Sequence, residues 1–533
     1  MPIITVDGVE YEVAAGRTLL QALDDLGVLM NGVDIPHYCW HPKLSVDGSC
    51  RLCQVEVEGI PKLQIACDTP VKDGMVIHTK NDRVKRAREG VMELLLLNHP
   101  LDCPICDQAG ECKLQDYAYA YGVPHSRTKE PRRAAKKRVD LGPTIVLDQE
   151  RCILCRRCVR FCREVPGTGE LGTFGRGDRT VLDTFPGIAL DNDYSMNVAD
   201  ICPVGALTTK DFRFKIRTWF LDEIPGVCTG CANGCNIFIG VANNKVYRYV
   251  PRRNDAVNQT WMCDAGRMSY KEIETADRLT GVSVRGPSGA LEPAPLSTGI
   301  RVAAERLRRV ADAKGASVIV GFGSAHATNE DLFTLRRLLS GLGTEAAAVP
   351  VVTGKADALL VKAEKAANGS GARALGFAEP GRVIERIRGG GADAAIVLGH
   401  DLLDASFLGD TADLARLDTV ILLDSRRSDL ERVAHVVFPT RHAAEKSGTL
   451  TNHAGRVQRI LQAVEPRFES YADGEVLHRL GIALGLAGFE GDYDVRAVSR
   501  EMARSVPAFA GIDLGSLGGE GAVLAGSKGE GER

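Results

Sequence analysis

The 533-residue sequence is poor in aromatic residues (5%), carries a net charge of only −3, and has no long run of apolar residues. Its longest apolar stretches have five residues, as at Ala394–Leu398, whereas a membrane-spanning helix needs roughly 20. The near-neutral charge argues against a general nucleic-acid-binding protein. All sixteen cysteines lie from Cys39 to Cys263, and none follows. This uneven distribution excludes a single type of domain in a chain long enough for about three or four domains.

The cysteines are arranged as metal-binding pairs rather than as a disulfide framework. The sequence opens with MPIITVDG, which has none of the basic, apolar and small-residue segments of a signal peptide. We therefore expect an intracellular chain whose thiols stay reduced. Pairs with C-x2-C spacing in that setting indicate iron–sulfur or other metal sites. Zinc ribbons are the alternative for any pair taken alone.

The first group of cysteines follows a predicted β-hairpin and helix. Alternating apolar and polar residues flank Asp7-Gly8, which is typical of a tight hairpin turn. The helical spacing of Thr18–Gly27 ends at a glycine suited to a C-cap. The order strand, turn, strand and helix is typical of the start of a β-grasp fold. The loop Gly48–Cys53 is expected to let backbone N–H groups approach the cysteine sulfurs. The pattern resembles a plant-type ferredoxin domain, whose [2Fe–2S] ligands would be Cys39, Cys50, Cys53 and Cys67.

A second group lies after a predicted amphipathic helix at residues 83–97, which Pro100 cannot continue. It contains three cysteines preceded by one histidine: His99, Cys103, Cys106 and Cys112. Three thiolates and one imidazole suit either zinc or a [4Fe–4S] cluster, and composition alone does not separate them. The whole motif resembles the [4Fe–4S] segment with one His and three Cys ligands of respiratory complex I and iron-only hydrogenases. His37 and His41, which flank Cys39, are predicted to be loop residues.

A basic segment at residues 122–145 separates the second group from the third. Its cationic residues are Lys129, Arg132, Arg133, Lys136, Lys137 and Arg138. A charge run of this kind is most often a solvated loop. The other interpretation is a docking strip for an acidic partner.

The third group resembles a bacterial two-cluster ferredoxin that has lost one cluster. Such ferredoxins carry two C-x2-C-x2-C-x3-C-P runs, and the last cysteine of each run ligates the other run's cluster. A second run aligned backwards from Cys202-Pro203 has no suitable ligands at its leading positions, which are Asn192, Ser195 and Val198. The remaining [4Fe–4S] cluster is expected on Cys152, Cys155, Cys158 and Cys202. Cys162 would have served the missing cluster, and we predict that it is not a ligand.

A fourth group differs in spacing from the paired C-x2-C of zinc ribbons. Its members are Cys228, Cys231, Cys235 and Cys263. A predicted β-hairpin with a turn at Asn243-Asn244 lies inside its long loop. The pattern resembles the N-terminal [4Fe–4S] domain of molybdopterin oxidoreductases, which include formate dehydrogenases. Fifteen cysteines and His99 are then assigned to four clusters, and only Cys162 is left over.

From about residue 295 onward, short apolar strands alternate with amphipathic helices, which predicts a doubly wound parallel sheet. The predicted strands are Ser317–Phe322, Ala394–Leu398, Thr419–Leu423 and His435–Phe438. The predicted helices include Gly299–Ala311 and Asn329–Gly341. The segment Gly321–His326 lacks the third glycine of a dinucleotide fingerprint, so no NAD site is expected there.

Two segments of this region, residues 323–339 and Ala443–Gln458, resemble loops that pack around the pterin cofactor in the molybdopterin oxidoreductase family. No cysteine follows Cys263 to ligate molybdenum. We therefore expect a degenerate scaffold without a functional molybdopterin. The last segment, residues 513–533, is rich in glycine, serine and charge, and is expected to be disordered.

The patterns together predict a multidomain chain, α+β at first and α/β later, with six segments. These are a [2Fe–2S] β-grasp domain at 1–82, a one-His, three-Cys [4Fe–4S] domain at 83–122, a ferredoxin-like [4Fe–4S] domain with the basic linker at 123–220, a molybdopterin-oxidoreductase-type [4Fe–4S] domain at 221–278, the degenerate α/β domain at 279–512, and the tail at 513–533.

This order of sites resembles the large iron–sulfur subunit of bacterial NADH-quinone oxidoreductase, the respiratory complex I. The resemblance implies an oxidoreductase subunit that takes single electrons from a flavin subunit, which oxidises NADH, and passes them toward a quinone-reducing subunit. It implies that the first three clusters lie on the main path and the fourth lies off it. The chain itself would bind no NADH and would have no catalytic residue. One [2Fe–2S] and three [4Fe–4S] clusters are implied.

The same resemblance implies a peripheral place on the cytoplasmic face of the bacterial inner membrane, within a multi-subunit complex and without nucleic acid. The alternative is a subunit of a molybdopterin formate dehydrogenase, which should carry a cysteine or selenocysteine ligand in the later domain. An iron-only hydrogenase would need further cysteines after the ferredoxin region. A zinc-stapled scaffold is the alternative outside redox chemistry.

Overall fold

The computed structural model describes residues 1–526, which form two compact units divided between Leu221 and Asp222. The division lies one residue from the boundary that we predict between the third and fourth segments. Within these residues, no helix combines the length and the apolar character that crossing a bilayer requires.

The first unit contains ten strands and five helices. They are β1 (Ile3–Val6), β2 (Val9–Glu12), α1 (Leu19–Asp25), β3 (Gln54–Val57), β4 (Gln64–Ile65), β5 (Met75–His78), α2 (Asp82–Leu96), α3 (Lys113–Tyr121), β6 (Val139–Asp140), β7 (Ile145–Leu147), α4 (Arg157–Glu164), β8 (Leu171–Phe174), β9 (Val181–Thr184), α5 (Asn197–Asp200) and β10 (Leu207–Thr209).

The N-terminal part of this unit is a five-stranded mixed sheet in the order β2-β1-β5-β3-β4, covered by α1. Asp7 and Gly8 both have positive φ, as the predicted hairpin turn between β1 and β2 requires. Thr18 starts α1 with a capping box that it shares with Gln21. Leu20 on the buried face of α1 packs into the apolar core beneath the sheet. The sheet and helix hold the cysteine loop that lies between α1 and β3.

The rest of the first unit consists of small sheets and short helices around the second and third cysteine groups. Strands β10, β7 and β6 form one antiparallel sheet, and β8 pairs with β9. Helix α4 follows two left-handed residues, Leu154 and Arg156, which bend the chain through its cysteine loop. Buried Tyr38 contacts Met92 of α2 and the carbonyl of Lys113 in α3, so this part packs directly on the N-terminal sheet domain.

The second unit contains the remaining strands and helices. They are β11 (Asp222–Val227), β12 (Asn236–Ala242), β13 (Lys245–Pro251), α6 (Asp264–Met268), β14 (Ser283–Arg285), β15 (Leu291–Pro293), α7 (Leu296–Lys314), β16 (Ile319–Phe322), α8 (Asn329–Leu342), β17 (Ala347–Ala348), α9 (Gly369–Ala374), α10 (Gly381–Arg388), β18 (Ala394–Leu398), β19 (Thr419–Asp424), β20 (Val436–Pro439), β21 (Gly448–Thr451), β22 (Arg456–Ile460), α11 (Asp473–Leu484), α12 (Val495–Ser505) and β23 (Ala522–Val523).

A seven-stranded sheet in the order β15-β14-β20-β19-β18-β16-β17 organises this unit. Strands β16 to β20 are parallel, and the edge strands β14 and β15 are antiparallel additions that the sequence pattern does not indicate. Ile396 on β18 faces a core that includes α7, α8, α11 and α12. Its neighbour Val397 faces the opposite core, which includes α10. Helices therefore cover both faces, and the loops after the parallel strands meet at one edge.

In this unit, one predicted turn is confirmed and one predicted strand begins two residues later than expected. The turn between β12 and β13 lies at Asn243 and Asn244, both with positive φ, as predicted. The strand predicted to begin at Ser317 begins at Ile319 instead, because a 3-10 turn occupies Ala316–Val318.

The prediction that residues 513–533 are disordered is wrong for the part that the structure describes. Strand β23 pairs with β22, and Leu514, Leu517 and Leu524 are buried against the second unit. Three leucines spaced among glycines supply enough apolar surface to hold this segment, although its average composition is that of a disordered chain. Residues 527–533 lie outside the described residues.

Candidate metal centres

The first cysteine group lies in the domain of the five-stranded sheet, and its thiols contact one another. The sulfurs of Cys39 and Cys50 are 3.4 Å apart, and Cys67 forms hydrogen bonds with the thiols of Cys39 and Cys53. The thiol of Cys50 stabilises the Cys39 thiolate and lowers its pKa. Gly48 and Arg51 have positive φ in the intervening loop, which wraps the backbone around the sulfurs. The four thiols of this group are therefore linked by contacts from one sulfur to the next.

The second group contains a histidine with a partly buried imidazole. Among residues 1–526, the Nδ1 atom of His99 is buried without a hydrogen-bond partner. Burial, assisted by Arg151, lowers the pKa of His99 to about 4. Neutral imidazole is the form that ligates metal. Cys106 and Cys112 are buried while Cys103 is exposed. An unsatisfied buried nitrogen on the residue that precedes the three cysteines in sequence is consistent with a one-His, three-Cys site.

A glycine shapes the same site from the next domain. A Cβ added to Gly205 would lie 2.2 Å from the sulfur of Cys106 and 3.1 Å from the Cβ of Gln108. Only the absence of a side chain at this position leaves room for the Cys106 sulfur. The sequence pattern does not reveal Gly205, since its role arises from tertiary packing.

The third group lines one cavity, to which Cys152, Cys155, Cys158 and Cys202 all contribute. Burial raises the pKa of Cys152 to about 12 and that of Cys155 to about 11. Thiols in such an environment lose their protons readily only when a metal replaces them.

Cys162 is not among the residues that line this cavity. It is fully buried on α4, and its pKa is raised by burial and by Glu170. Asn192, one of the positions aligned with the missing cluster, donates a hydrogen bond to Glu170 at 2.9 Å. Cys162 therefore points from α4 toward a polar network that includes Glu170 and Asn192.

The fourth group lies at the start of the second unit, around the β11–β12 connection and the start of α6. The side chain of Asn233 donates to the sulfur of Cys235 at 3.1 Å, and the backbone N–H of Gly266 donates to that of Cys263 at 3.3 Å. A Cβ on Gly266 would lie 2.9 Å from the sulfur of Cys228. Donors aimed at sulfur stabilise its negative charge. Burial raises the pKa of Cys228 to about 12.

Among residues 1–526, no three His, Cys, Asp or Glu side chains are close enough around one point to hold a single metal ion. This finding concerns mononuclear sites such as a zinc centre. An iron–sulfur cluster distributes its protein ligands over two or four iron atoms, so its ligands need not converge on one point.

The first three groups are connected through short contacts. The sulfur of Cys112 lies 3.8 Å from the carbonyl oxygen of Pro203, which follows Cys202 of the third group. Arg160 on α4 donates to the carbonyl oxygens of Cys39, in the first group, and Cys155, in the third group. One compact unit therefore holds three neighbouring thiol sets.

The basic linker makes several ion pairs with its own unit. Arg127 pairs with Glu93 at 2.6 Å, and Lys137 pairs with both Asp102 and Glu150. These contacts support the solvated-loop interpretation for Arg127 and Lys137. A role of the other basic residues in docking stays a prediction.

A separate polar cavity lies where the loops after the parallel strands meet. It is lined by residues such as Ser324, His400, Arg426 and His442, and no cysteine lines it. His400 shares a hydrogen bond of 2.9 Å with Asp424. Since Cys263 is the last cysteine of the chain, this edge offers no thiolate for molybdenum.

Five family models match the chain in order. They are described as 2Fe-2S iron-sulfur cluster binding domain (residues 3–82), NADH-ubiquinone oxidoreductase-G iron-sulfur binding region (88–127), NADH-quinone oxidoreductase subunit 3, ferredoxin-like domain (142–208), Molybdopterin oxidoreductase Fe4S4 domain (221–275) and Molybdopterin oxidoreductase (352–482). The chain therefore carries [2Fe–2S], [4Fe–4S] and molybdopterin-oxidoreductase-type domains in the predicted order.

Curated proteins match the chain over most of its length. The G-type subunit of NADH-quinone oxidoreductase from Rickettsia conorii is 41% identical over 341 residues, which are 64% of this chain and 49% of the relative. The mitochondrial NADH dehydrogenase [ubiquinone] iron-sulfur protein 1 of Solanum tuberosum is 40% identical over 64% of this chain and 45% of its own length. The chain spans about half the length of these relatives.

A solved structure of NAD+-reducing [NiFe]-hydrogenase in the H2-reduced state contains a chain that is 32% identical. The match covers 41% of this chain and 91% of that chain, with a TM-score of 0.35.

Proposed function

We propose that this chain, which is homologous to the G-type subunit of NADH-quinone oxidoreductase, is an iron–sulfur relay subunit that passes single electrons from a flavin subunit toward a quinone-reducing subunit. The observation that carries the proposal is the placement of three thiol sets in one compact unit, joined by Pro203 and Arg160. Tunnelling between centres needs this kind of fixed, close arrangement. The complex would be peripheral on the cytoplasmic face of a bacterial inner membrane.

The ligand sets follow from the chemistry of each group. We assign a [2Fe–2S] cluster to the first group and one [4Fe–4S] cluster to each of the other three, with His99 as the single nitrogen ligand. When bound, these clusters supply one-electron redox chemistry. The orphan Nδ1 of His99, the space left by Gly205 and the thiol-lined cavity of the third group fit this assignment.

The chain's own residues set the conditions for transfer. The β-grasp and ferredoxin-like folds hold the sulfurs, and burial excludes water from Cys106, Cys112 and Cys155. Hydrogen bonds to sulfur, such as that from Asn233 to Cys235, stabilise added negative charge. The first three groups would form the main path, with the fourth group, on the second unit, off that path.

The clearest test of the cofactor assignment is metal analysis of the anaerobically purified chain. We expect about fourteen iron atoms per chain, the content of one [2Fe–2S] and three [4Fe–4S] clusters, with no molybdenum and little zinc. EPR of the dithionite-reduced protein should show signals of both cluster types. Stoichiometric molybdenum would instead favour a molybdopterin formate dehydrogenase, and stoichiometric zinc would contradict the relay.

A pair of cysteine variants tests the ligands of the third group. Cys162→Ser should leave the iron content unchanged, since Cys162 lies outside the thiol-lined cavity. Cys202→Ser should lose about four iron atoms, the content of one [4Fe–4S] cluster. Both substitutions exchange a buried sulfur for oxygen, so each is the matched control for the other. Loss of iron in Cys162→Ser with retention in Cys202→Ser would reverse the assignment.

A further inference from the structure

We propose that Arg157 is a positioning residue that supplies a shared positive charge to the first and third thiol sets and raises the reduction potential of both. This inference rests on the proposed relay function. It adds a specific residue to that function, a non-ligand that lies between Cys155 and Cys158 in the third cysteine run.

Arg157 is anchored to the neighbours of one ligand from each set. Its Nη2 donates to the carbonyl oxygen of Trp40, the residue after Cys39, at 2.5 Å. Its Nη1 donates to the carbonyl oxygen of Ile201, the residue before Cys202, at 3.2 Å. The planar guanidinium therefore spans the boundary between the two sets in a fixed orientation.

In the part of the chain that the structure describes, no carboxylate pairs with Arg157 to balance its charge. Within residues 1–526, no Asp or Glu oxygen lies within 4 Å of its nitrogens, and its Nε is buried without an acceptor. Burial lowers the pKa of Arg157, and negative charge on nearby sulfurs opposes that shift. Those sulfurs belong equally to the two sets: Cys155, Cys202, Cys39 and Cys50.

A partly buried cation with only carbonyl partners is costly unless negative charge lies near it. Thiolates that hold a cluster would provide that charge, and reduction of either cluster would add to it. Coulomb attraction across a protein interior is much stronger than across water. Arg157 therefore stabilises the reduced form of both sets, and it does so from one position.

A purely structural role is the competing explanation, because the same contacts also dock α4 on the cysteine loop. Glu164 shows that such docking exists without a cation, since it accepts hydrogen bonds from both the N–H and the hydroxyl of Ser45. The two explanations differ in what a substitution changes. Lost docking reduces cluster occupancy, whereas a lost charge shifts potentials at full occupancy.

The test compares Arg157→Gln, which removes the charge, with Arg157→Lys, which keeps it. EPR-monitored redox titrations of the purified, iron-loaded full chain would follow the clusters of the first and third sets. At the wild-type midpoint potential, Arg157→Gln should lower the ratio of reduced to oxidised cluster about tenfold for both sets, equivalent to about 59 mV for one electron. Arg157→Lys should stay within about twofold of wild type.

Arg163→Gln is the matched control, because Arg163 lies on the same helix but is exposed. It should leave both potentials unchanged. Unshifted potentials in an iron-replete Arg157→Gln would overturn the proposal, as would equal shifts in the Lys and Gln variants. If Arg157→Gln does not retain iron, Arg157→Lys decides: wild-type potentials support the shared charge, and a tenfold shift refutes it. Absence of iron or EPR signals in the wild-type chain would instead refute the relay function itself.

Discussion

Gly205→Ala is expected to remove the cluster of the second group while leaving those of the other groups in place. The new Cβ would lie 2.2 Å from the sulfur of Cys106, far inside van der Waals contact. A free thiol could rotate away at little cost, but a ligating sulfur is fixed by its iron. The variant should therefore lose about four iron atoms and one [4Fe–4S] EPR signal.

The other groups should be unaffected because the nearest atoms to the added Cβ belong only to Cys106 and Gln108. Gly90→Ala is the matched control, since a Cβ there would meet no atom of residues 1–526 within 4 Å apart from its own helix backbone. Gly90 lies within α2, where alanine is favoured over glycine by about 0.5–1 kcal/mol. Metal analysis and EPR of both variants provide the measurement. Full iron content with an unchanged second-group signal in Gly205→Ala would show that Cys106 does not ligate from the observed position.

Local patterns in the sequence were sufficient for much of this architecture. The turns at Asp7-Gly8 and Asn243-Asn244 require positive φ, which a short pattern reveals directly. Strand β18 begins and ends at the predicted residues because five consecutive apolar residues suit a strand buried on both faces. Cysteine spacing likewise predicts which residues form each group, although the ligand sets themselves stay predictions.

The sequence pattern does not reveal features that depend on packing between residues far apart in the chain. Gly205 is one glycine among many until its position against Cys106 is known. Arg157 belongs to a cationic stretch of α4 whose residues differ in surroundings: Arg163 is exposed, whereas Arg157 faces two thiol sets. The prediction of disorder at residues 513–526 is wrong because it rests on average composition and not on position in the fold. Average composition describes residues 513–526 as disordered, but burial of Leu517 and Leu524 depends on the core that they meet.

Lys446→Met should destabilise the second unit by about 3–5 kcal/mol, the usual cost of removing one partner from a buried ion pair. The Nζ atom of Lys446 lies 2.8 Å from Asp331 and 2.7 Å from Asp473, and all three side chains are at least nine-tenths buried. Asp331 also accepts hydrogen bonds from the backbone N–H groups of Thr328 and Gly474. Without the ammonium, two almost fully buried carboxylates would be left without a counter-charge between them.

Denaturant unfolding followed by circular dichroism under anaerobic conditions would measure this loss. Lys314→Met is the matched control, because Lys314 is about half exposed in its pair with Asp393 and exposed pairs contribute about 0–1 kcal/mol. Adding Asp473→Asn to Lys446→Met should restore part of the lost stability, because the second substitution removes one of the two unbalanced charges. Equal losses for Lys446→Met and Lys314→Met, with no recovery in the double variant, would mean that the buried triad contributes no more than a surface pair. The opposite result would establish that one buried lysine holds together the first turns of α8 and α11, where Asp331 and Asp473 lie.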